Sequence, residues 1–306
     1  MSKVIMYHYI RCKDNEFPNF NFLHKKNFLK QLSYFEKKNN FLKIGDNLSN
    51  FNEKNNKITL TFDDGLKEHF EVAKHLNKKN ILGFFFIPTY PYITNDFINP
   101  HKLHLILGKY HVDEVAGFLK KILKNLYIMN STKFRITSKD VQMKATKNEY
   151  DKKVLMLKKK LNYLVKDSSK IIGQTFNHFI KKNRQKKIFK NFYLNLGQIK
   201  EMDKMGMCIG SHSHSHQILN NLDCKKQALE IKKSKEFLNN LLKKKINHFC
   251  FPYGGKESYN KNTIKILNRL KFDYSFTVEN KSVPKKINYL EIPRIDCNKF
   301  IFGKSS

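Results

Sequence analysis

The chain has 306 residues, 40% of them hydrophobic and 13% aromatic, with 59 Lys+Arg against 26 Asp+Glu and a formal net charge of +33. This much apolar and aromatic material excludes a chain disordered throughout and can form a large core, so one catalytic domain with an insertion is the expected organisation. The charge favours polyanions, anionic lipid headgroups or phosphorylated substrates without identifying one, and a surface coated with lysine explains it equally well.

Residues 3–10, "KVIMYHYI", and 57–64, "KITLTFDD", are rich in β-branched and aromatic residues and read as strands, the second stopping at Gly65. A helical pattern follows each. The first is "KKNFLKQLSYFEKKN"; the second, "LKEHFEVAKHLNKK", carries Phe70, Ala73 and Leu76 at helical spacing. Next, "ILGFFFI" is a continuous apolar run short enough for a buried strand. Residues 100–190 break the rhythm with the helical patterns "LHLILGKYHVDEVAGFLKKILKNL" and "YDKKVLMLKKKLNYLVKD" and basic clusters such as "KKNRQKKIFK". They read as a helical insertion that caps or flanks the site. Alternation resumes with helix "LGQIKEMDKMG", strand "MCIGS", helix "KKQALEIKKSKEFLNNLLKK", strand "HFCFP", helix "YNKNTIKILNRL" and strands "DYSFTV" and "YLEIP". Repeated βα units with polar residues at strand ends predict a parallel α/β barrel carrying those residues at one rim.

Five cysteines, Cys12, Cys208, Cys224, Cys250 and Cys297, form no CxxC pair. Reduced thiols in a cytoplasmic protein are therefore expected, rather than a disulfide framework or a thiolate metal site. The N-terminal stretch holds only a short apolar run without a cleavage pattern, and no span of transmembrane length follows.

Two stretches carry chemistry. In "TLTFDDGL", Asp63 and Asp64 are adjacent at a strand end. Two neighbouring carboxylates are costly to ionise together unless a cation or a hydrogen-bond network separates their roles, although Asp-Asp-Gly by itself is a common turn. In "GSHSHSH", His212, His214 and His216 alternate. On a strand all three rings share a face; in a helical turn His212 and His216 share one and His214 points away. Local spacing leaves both arrangements open.

In combination, "TFDDG" followed far downstream by "HSHSH" resembles the polysaccharide deacetylases, the NodB-homology group also called carbohydrate esterase family four. The segments "FCFPYGG", "FDYSFTV", "LEIPRID" and the leading "VIMYHYI" are similar to further motifs of that family or of a subgroup within it. The resemblance implies a distorted (β/α) barrel of the NodB-homology type. It makes Asp63 the general base and Asp64, His212 and His216 the metal ligands, on a strand ending near Ser211 and followed by a helical turn. Tyr253 would line the site and offer its backbone N–H to an oxyanion, and Arg294 would orient Asp63. Many members place a catalytic His near the C-terminus, but here no His follows His248. The subgroup resemblance offers His8 as the general acid instead, since the first and last strands of a barrel are neighbours. His69, His75, His101, His104 and His248 are left as surface or packing residues.

The implied protein is a metal-dependent hydrolase removing an N-linked acetyl group from a sugar, with zinc the first expectation and nickel, cobalt or iron also suited to such ligands. A cytoplasmic location points to a nucleotide- or lipid-linked intermediate of surface-polysaccharide synthesis. The charge is compatible with peripheral contact to an anionic membrane, and no specific nucleic acid partner is expected. The alternatives are a hydrolase of another C–N bond, such as a cyclic amide, and an inactive basic protein binding anionic membrane or nucleic acid.

Overall fold

The computed structural model describes residues 1–38, 40–46, 57–125, 149–164 and 168–303. Its elements, in chain order, are β1 (Lys3–Tyr7), β2 (Ile10–Arg11), β3 (Leu23–His24), α1 (Lys25–Lys38), β4 (Asn40–Phe41), β5 (Lys57–Asp63), α2 (His69–Lys78), β6 (Gly83–Ile87) and α3 (Tyr90–Thr94). Helices α4 (Asn99–Lys109), α5 (Val112–Asn125), α6 (Glu149–Lys159), α7 (Ser168–Phe179) and α8 (Lys182–Lys190) follow. The chain then runs through α9 (Leu196–Lys204), β7 (Cys208–Ser211), α10 (Cys224–Leu242), β8 (His248–Cys250), α11 (Lys261–Arg269), β9 (Tyr274–Phe276) and β10 (Ile295–Asp296).

Two compact units separate. One comprises Met1–Cys12, Phe22–Asp96 and Asn191–Ser306; the other comprises Lys13–Asn21 and Phe97–Lys190.

In the first unit, a parallel sheet runs in the order β10-β1-β5-β6-β7-β8-β9, with β4 added at the start of β5. It curls into a half-barrel surrounded by helices. Ile292 bridges Phe276 of β9, and Ile295 pairs with Ile5 of β1, so the stretch from 292 to 296 reaches from one end of the strand order to the other. The predicted strand "YLEIP" is not formed beyond that single bridge. Pro293 has no N–H to donate, and the ladder resumes only after Arg294.

The period-two alternation of a strand decides what faces the barrel interior. Ile58, Leu60 and Phe62 of β5, Phe85 and Ile87 of β6, and Ile209 of β7 join a core that also takes Val72, Ala73 and Leu76 of α2 and Ile231 and Leu238 of α10. The alternate residues Val4, Phe84, Phe86, Cys250 and Phe276 form a second, inner core. By this parity Thr59, Thr61 and Asp63 turn inward from β5, and His212 follows β7 on its interior face. Gly210 keeps that face open, because a Cβ there would stand 2.6 Å from the Phe86 ring.

The second unit is helical. Leu103, Ile106 and Leu107 of α4, Val115 and Leu119 of α5, and Ile172 and Phe176 of α7 are buried within it, whereas α8 buries no residue. The single helical pattern predicted from residue 103 onward is two helices. Tyr110 adopts an extended backbone with ψ 150, and Asp113 and Glu114 occupy the first turn of α5, where the helix dipole favours acidic residues. The pattern starting at Tyr150 ends its described part in a π-helical turn, Lys160–Leu164. Residues 126–148 and 165–167 of the predicted insertion lie outside the described residues. Among the described residues no helix is long and apolar enough to cross a membrane.

Candidate active site

Asp63, the last residue of β5, is held by a buried fork. Arg294 donates through Nη1 to Oδ1 at 2.7 Å and through Nη2 to Oδ2 at 2.8 Å. The guanidinium also donates to the Thr277 carbonyl at 3.1 Å and to Thr61 Oγ1 at 3.2 Å, so its orientation is set from β5 and from the residue that follows β9. Burial alone would push the Asp63 carboxyl up. The Arg294 guanidinium, and behind it the His212 and His8 rings, reverse this and hold it at about 2. Asp63 is thus a charged carboxylate throughout the physiological range.

Asp64, the next residue, has partners of a different kind. Its backbone is left-handed, with φ 80, and Gly65 follows with φ 62, so the chain turns sharply out of β5. Asp64 Oδ1 stands 3.6 Å from His212 Nε2 and 3.5 Å from His216 Nε2, with all three side chains buried. The His212 ring is oriented by Nδ1, 2.8 Å from the Cys250 carbonyl. A carbonyl only accepts, so Nδ1 carries the proton and Nε2 presents its lone pair towards the Asp64 carboxylate.

Acceptors facing each other in this way are brought into balance by a cation between them. Two donor atoms each about 2.1 Å from an ion and at the tetrahedral angle stand about 3.4 Å apart, close to the separations here. The donor set of one carboxylate and two imidazoles, with a carbonyl fixing one ring from behind, therefore fits a divalent metal of the zinc type.

The loop carrying the histidines corrects one expectation. No helical turn follows Ser211; residues 212–218 are irregular, and Ser213 and His216 take left-handed backbone angles with φ 60 and φ 59. These two reversals bring the His212 and His216 rings to 4.7 Å between centroids. His214 points elsewhere, its Nδ1 lying 2.9 Å from Thr89 Oγ1. The physical reason is local satisfaction of polar groups. Ser213 Oγ accepts the His216 N–H at 3.1 Å, and Glu230 of α10 accepts both the Ser215 N–H at 2.7 Å and its hydroxyl at 2.8 Å.

Glu230 clamps the loop that carries the candidate ligands, a contact that sequence reading misses because nothing in a helix interior marks a glutamate as a loop clamp. If the candidate site holds a divalent metal, Glu230→Ala is expected to weaken its affinity by about 10- to 100-fold, as for other groups that orient ligands. Chelator competition measures this, and unchanged affinity would remove Glu230 from the site's support.

The remaining predicted residues converge on the same end of the barrel. His8 follows β1, its Nε2 3.7 Å from Asp63 Oδ2 and its side chain 39% exposed. The Tyr253 ring meets the His216 ring edge-on at 5.0 Å, and its backbone is left-handed, with φ 64. Left-handed non-glycine residues cost energy, and Asp64, His216 and Tyr253 stand side by side, the clustering seen where strain serves a site. Cys250, noted in the sequence only as a reduced thiol, lies with Sγ 3.6 Å from Asp63 Oδ2. Burial pushes that thiol well up, so it faces Asp63 as a neutral S–H.

The family model described as polysaccharide deacetylase matches residues 129–275, a span that includes His212, His216 and Tyr253 and leaves Asp63 and Asp64 outside. A Streptococcus pyogenes deacetylase, PplD, solved with acetate, is 18% identical, with a TM-score of 0.57 over 96% of this chain and 91% of that one. IcaB from Ammonifex degensii is 16% identical, with a TM-score of 0.53 over 96% and 90%. The deacetylase domain of BpsB from Bordetella bronchiseptica is 12% identical, with a TM-score of 0.54 over 96% and 94%. These structures share the fold. No curated protein matches the sequence. The family match over residues 129–275 and the half-barrel, with its paired carboxylates and histidines at one rim, agree in their likeness: the chain is similar to the polysaccharide deacetylases, hydrolases acting on non-peptide carbon–nitrogen bonds.

Proposed function

We propose that the protein is a metal-dependent sugar N-deacetylase acting in the cytoplasm on a nucleotide- or lipid-linked intermediate of surface-polysaccharide synthesis. The observation that carries the chemistry is the division of labour between adjacent carboxylates: Asp63 is paired with Arg294, whereas Asp64 faces two imidazole nitrogens. Asp64, His212 and His216 would hold the cation, with zinc suiting the donors best. When bound, a divalent cation acts as a Lewis acid on the amide carbonyl and lowers the pKa of water.

Asp63 takes the proton from the attacking water, and Arg294 keeps its carboxylate aimed and charged. The Tyr253 backbone N–H donates to the oxyanion that develops on the amide carbonyl oxygen. His8 then gives a proton to the nitrogen as the C–N bond breaks, so that acetate and a free amino sugar leave. Residues 100–190 are read as an insertion in this catalytic domain with a part in choosing the substrate. The charge of +33 suits a phosphorylated carrier or peripheral contact with anionic lipid.

The test is to load the protein with zinc, incubate it with N-acetylated sugars free, nucleotide-linked and lipid-linked, and assay acetate. Release is expected from at least one carrier, and Asp63→Asn should lower it by about 100- to 10,000-fold. Absence of acetate from every carrier, with stoichiometric zinc bound, would sink the reading.

A further inference from the structure

His69 opens α2 and is fully buried. Its ring lies against Phe62 and Phe85, with centroids 5.7 and 5.9 Å away. Within this apolar setting Nε2 stands 2.9 Å from the main-chain carbonyl of His8, while Nδ1 is buried with no hydrogen-bond partner among the described residues. A carbonyl only accepts, so Nε2 carries the proton and donates it. Burial lowers the His69 pKa, which keeps the ring neutral in that tautomer. As packing alone, an imidazole is a poor choice here, because a buried nitrogen left unsatisfied is costly and phenylalanine or leucine would avoid it. The hydrogen bond to His8 is what the imidazole adds.

His8 sits where regular pairing lapses. The β1–β5 register runs through Tyr7 opposite Phe62, and β2 pairs with β3 only from Ile10. The His8 side chain is partly exposed, so the direction of its ring towards Asp63 depends on the peptide plane at residue 8. His69 holds that plane from below.

We propose that His69 is a positioning residue for the reaction, donating to the His8 carbonyl so that the His8 ring stays aimed at the leaving nitrogen beside Asp63. The inference rests on the reading of His8 as general acid, and the experiment separates the two. Zinc-loaded variants are assayed on an accepted N-acetyl sugar and on an aryl acetate, whose phenolate departs without a proton. His69→Leu is expected to lower kcat on the N-acetyl sugar by about 10- to 100-fold, with KM and the aryl acetate rate within about twofold. His69→Gln, whose amide N–H can reach the same carbonyl, should recover most of the loss.

If His69→Leu does not fold, His69→Asn, a shorter amide, is read by the same ratio of the two substrates. Equal losses on both substrates, or an unchanged rate on the N-acetyl sugar, overturn the proposal. His8→Ala runs alongside. If it loses no selectivity between the substrates, the acid reading falls and the role of His69 with it. If His8→Ala is selective and neither His69→Leu nor His69→Asn is, only the role of His69 falls.

Discussion

His212→Ala is expected to lower zinc affinity by more than about 100-fold and to abolish acetate release, whereas His214→Ala keeps affinity within a few fold. Groups that only orient a ligand are worth about 10- to 100-fold, and loss of the ligand itself exceeds that. His212 Nε2 faces Asp64 Oδ1, and its other nitrogen is committed to the Cys250 carbonyl, so the ring is held with Nε2 towards the carboxylate. His216→Ala should behave like His212→Ala, because the two rings present their Nε2 atoms to the same carboxylate oxygen. His214 is two residues from each but spends its ring on Thr89. Its loss should cost on the order of 1 kcal/mol of stability, the worth of a hydrogen bond, without emptying the site. Zinc titration of the three variants decides the matter; equal losses in all three would mean that the loop, not the ligand set, is being measured.

Arg294→Met should destabilise the fold by about 3–5 kcal/mol, because it leaves the buried Asp63 carboxylate without its partner. The double variant Arg294→Met/Asp63→Leu should recover most of that loss, since replacing a buried pair together with apolar residues is often close to neutral. Denaturant unfolding of the two variants checks this, and equal destabilisation in both would show that Arg294 acts through packing alone.

A pH dependence accompanies it. Asp63 binds its proton less readily folded than unfolded, about 2 against an ordinary 3.8, so the pair's stabilisation is fully present above the ordinary value and is lost as pH falls through about 2. In Arg294→Met the raising effect of burial is no longer opposed by the guanidinium. The Asp63 carboxyl then moves up, and the acid limb of the activity profile should move to higher pH with it. An acid limb that stays in place would mean that Asp63 is not the group it reports.

The amino-acid sequence by itself determined the strand and helix alternation, the adjacent carboxylates at the end of "KITLTFDD" and the histidines after "MCIGS", because side-chain periods of two and 3.6 are local properties. It also carried the family motifs, which are strings of neighbours. The backbone of the histidine loop was not legible there. Left-handed angles at Ser213 and His216 depend on hydrogen bonds to Ser213 Oγ and to Glu230 on another element, whereas local spacing leaves strand and helix open and the family resemblance implies a helical turn.

Tertiary structure alone decided that Arg294 and Asp63, 231 positions apart, form a two-pronged pair, that the Cys250 carbonyl sets the His212 tautomer, and that buried His69 reaches the main chain at His8. It also decided that "YLEIP" yields its place to residues 295–296, since the pairing of β10 with β1 is available only once the sheet has curled. Each of these rests on a hydrogen bond between groups far apart in the chain. Local periodicity says which face a residue takes; only the folded sheet says what stands opposite it.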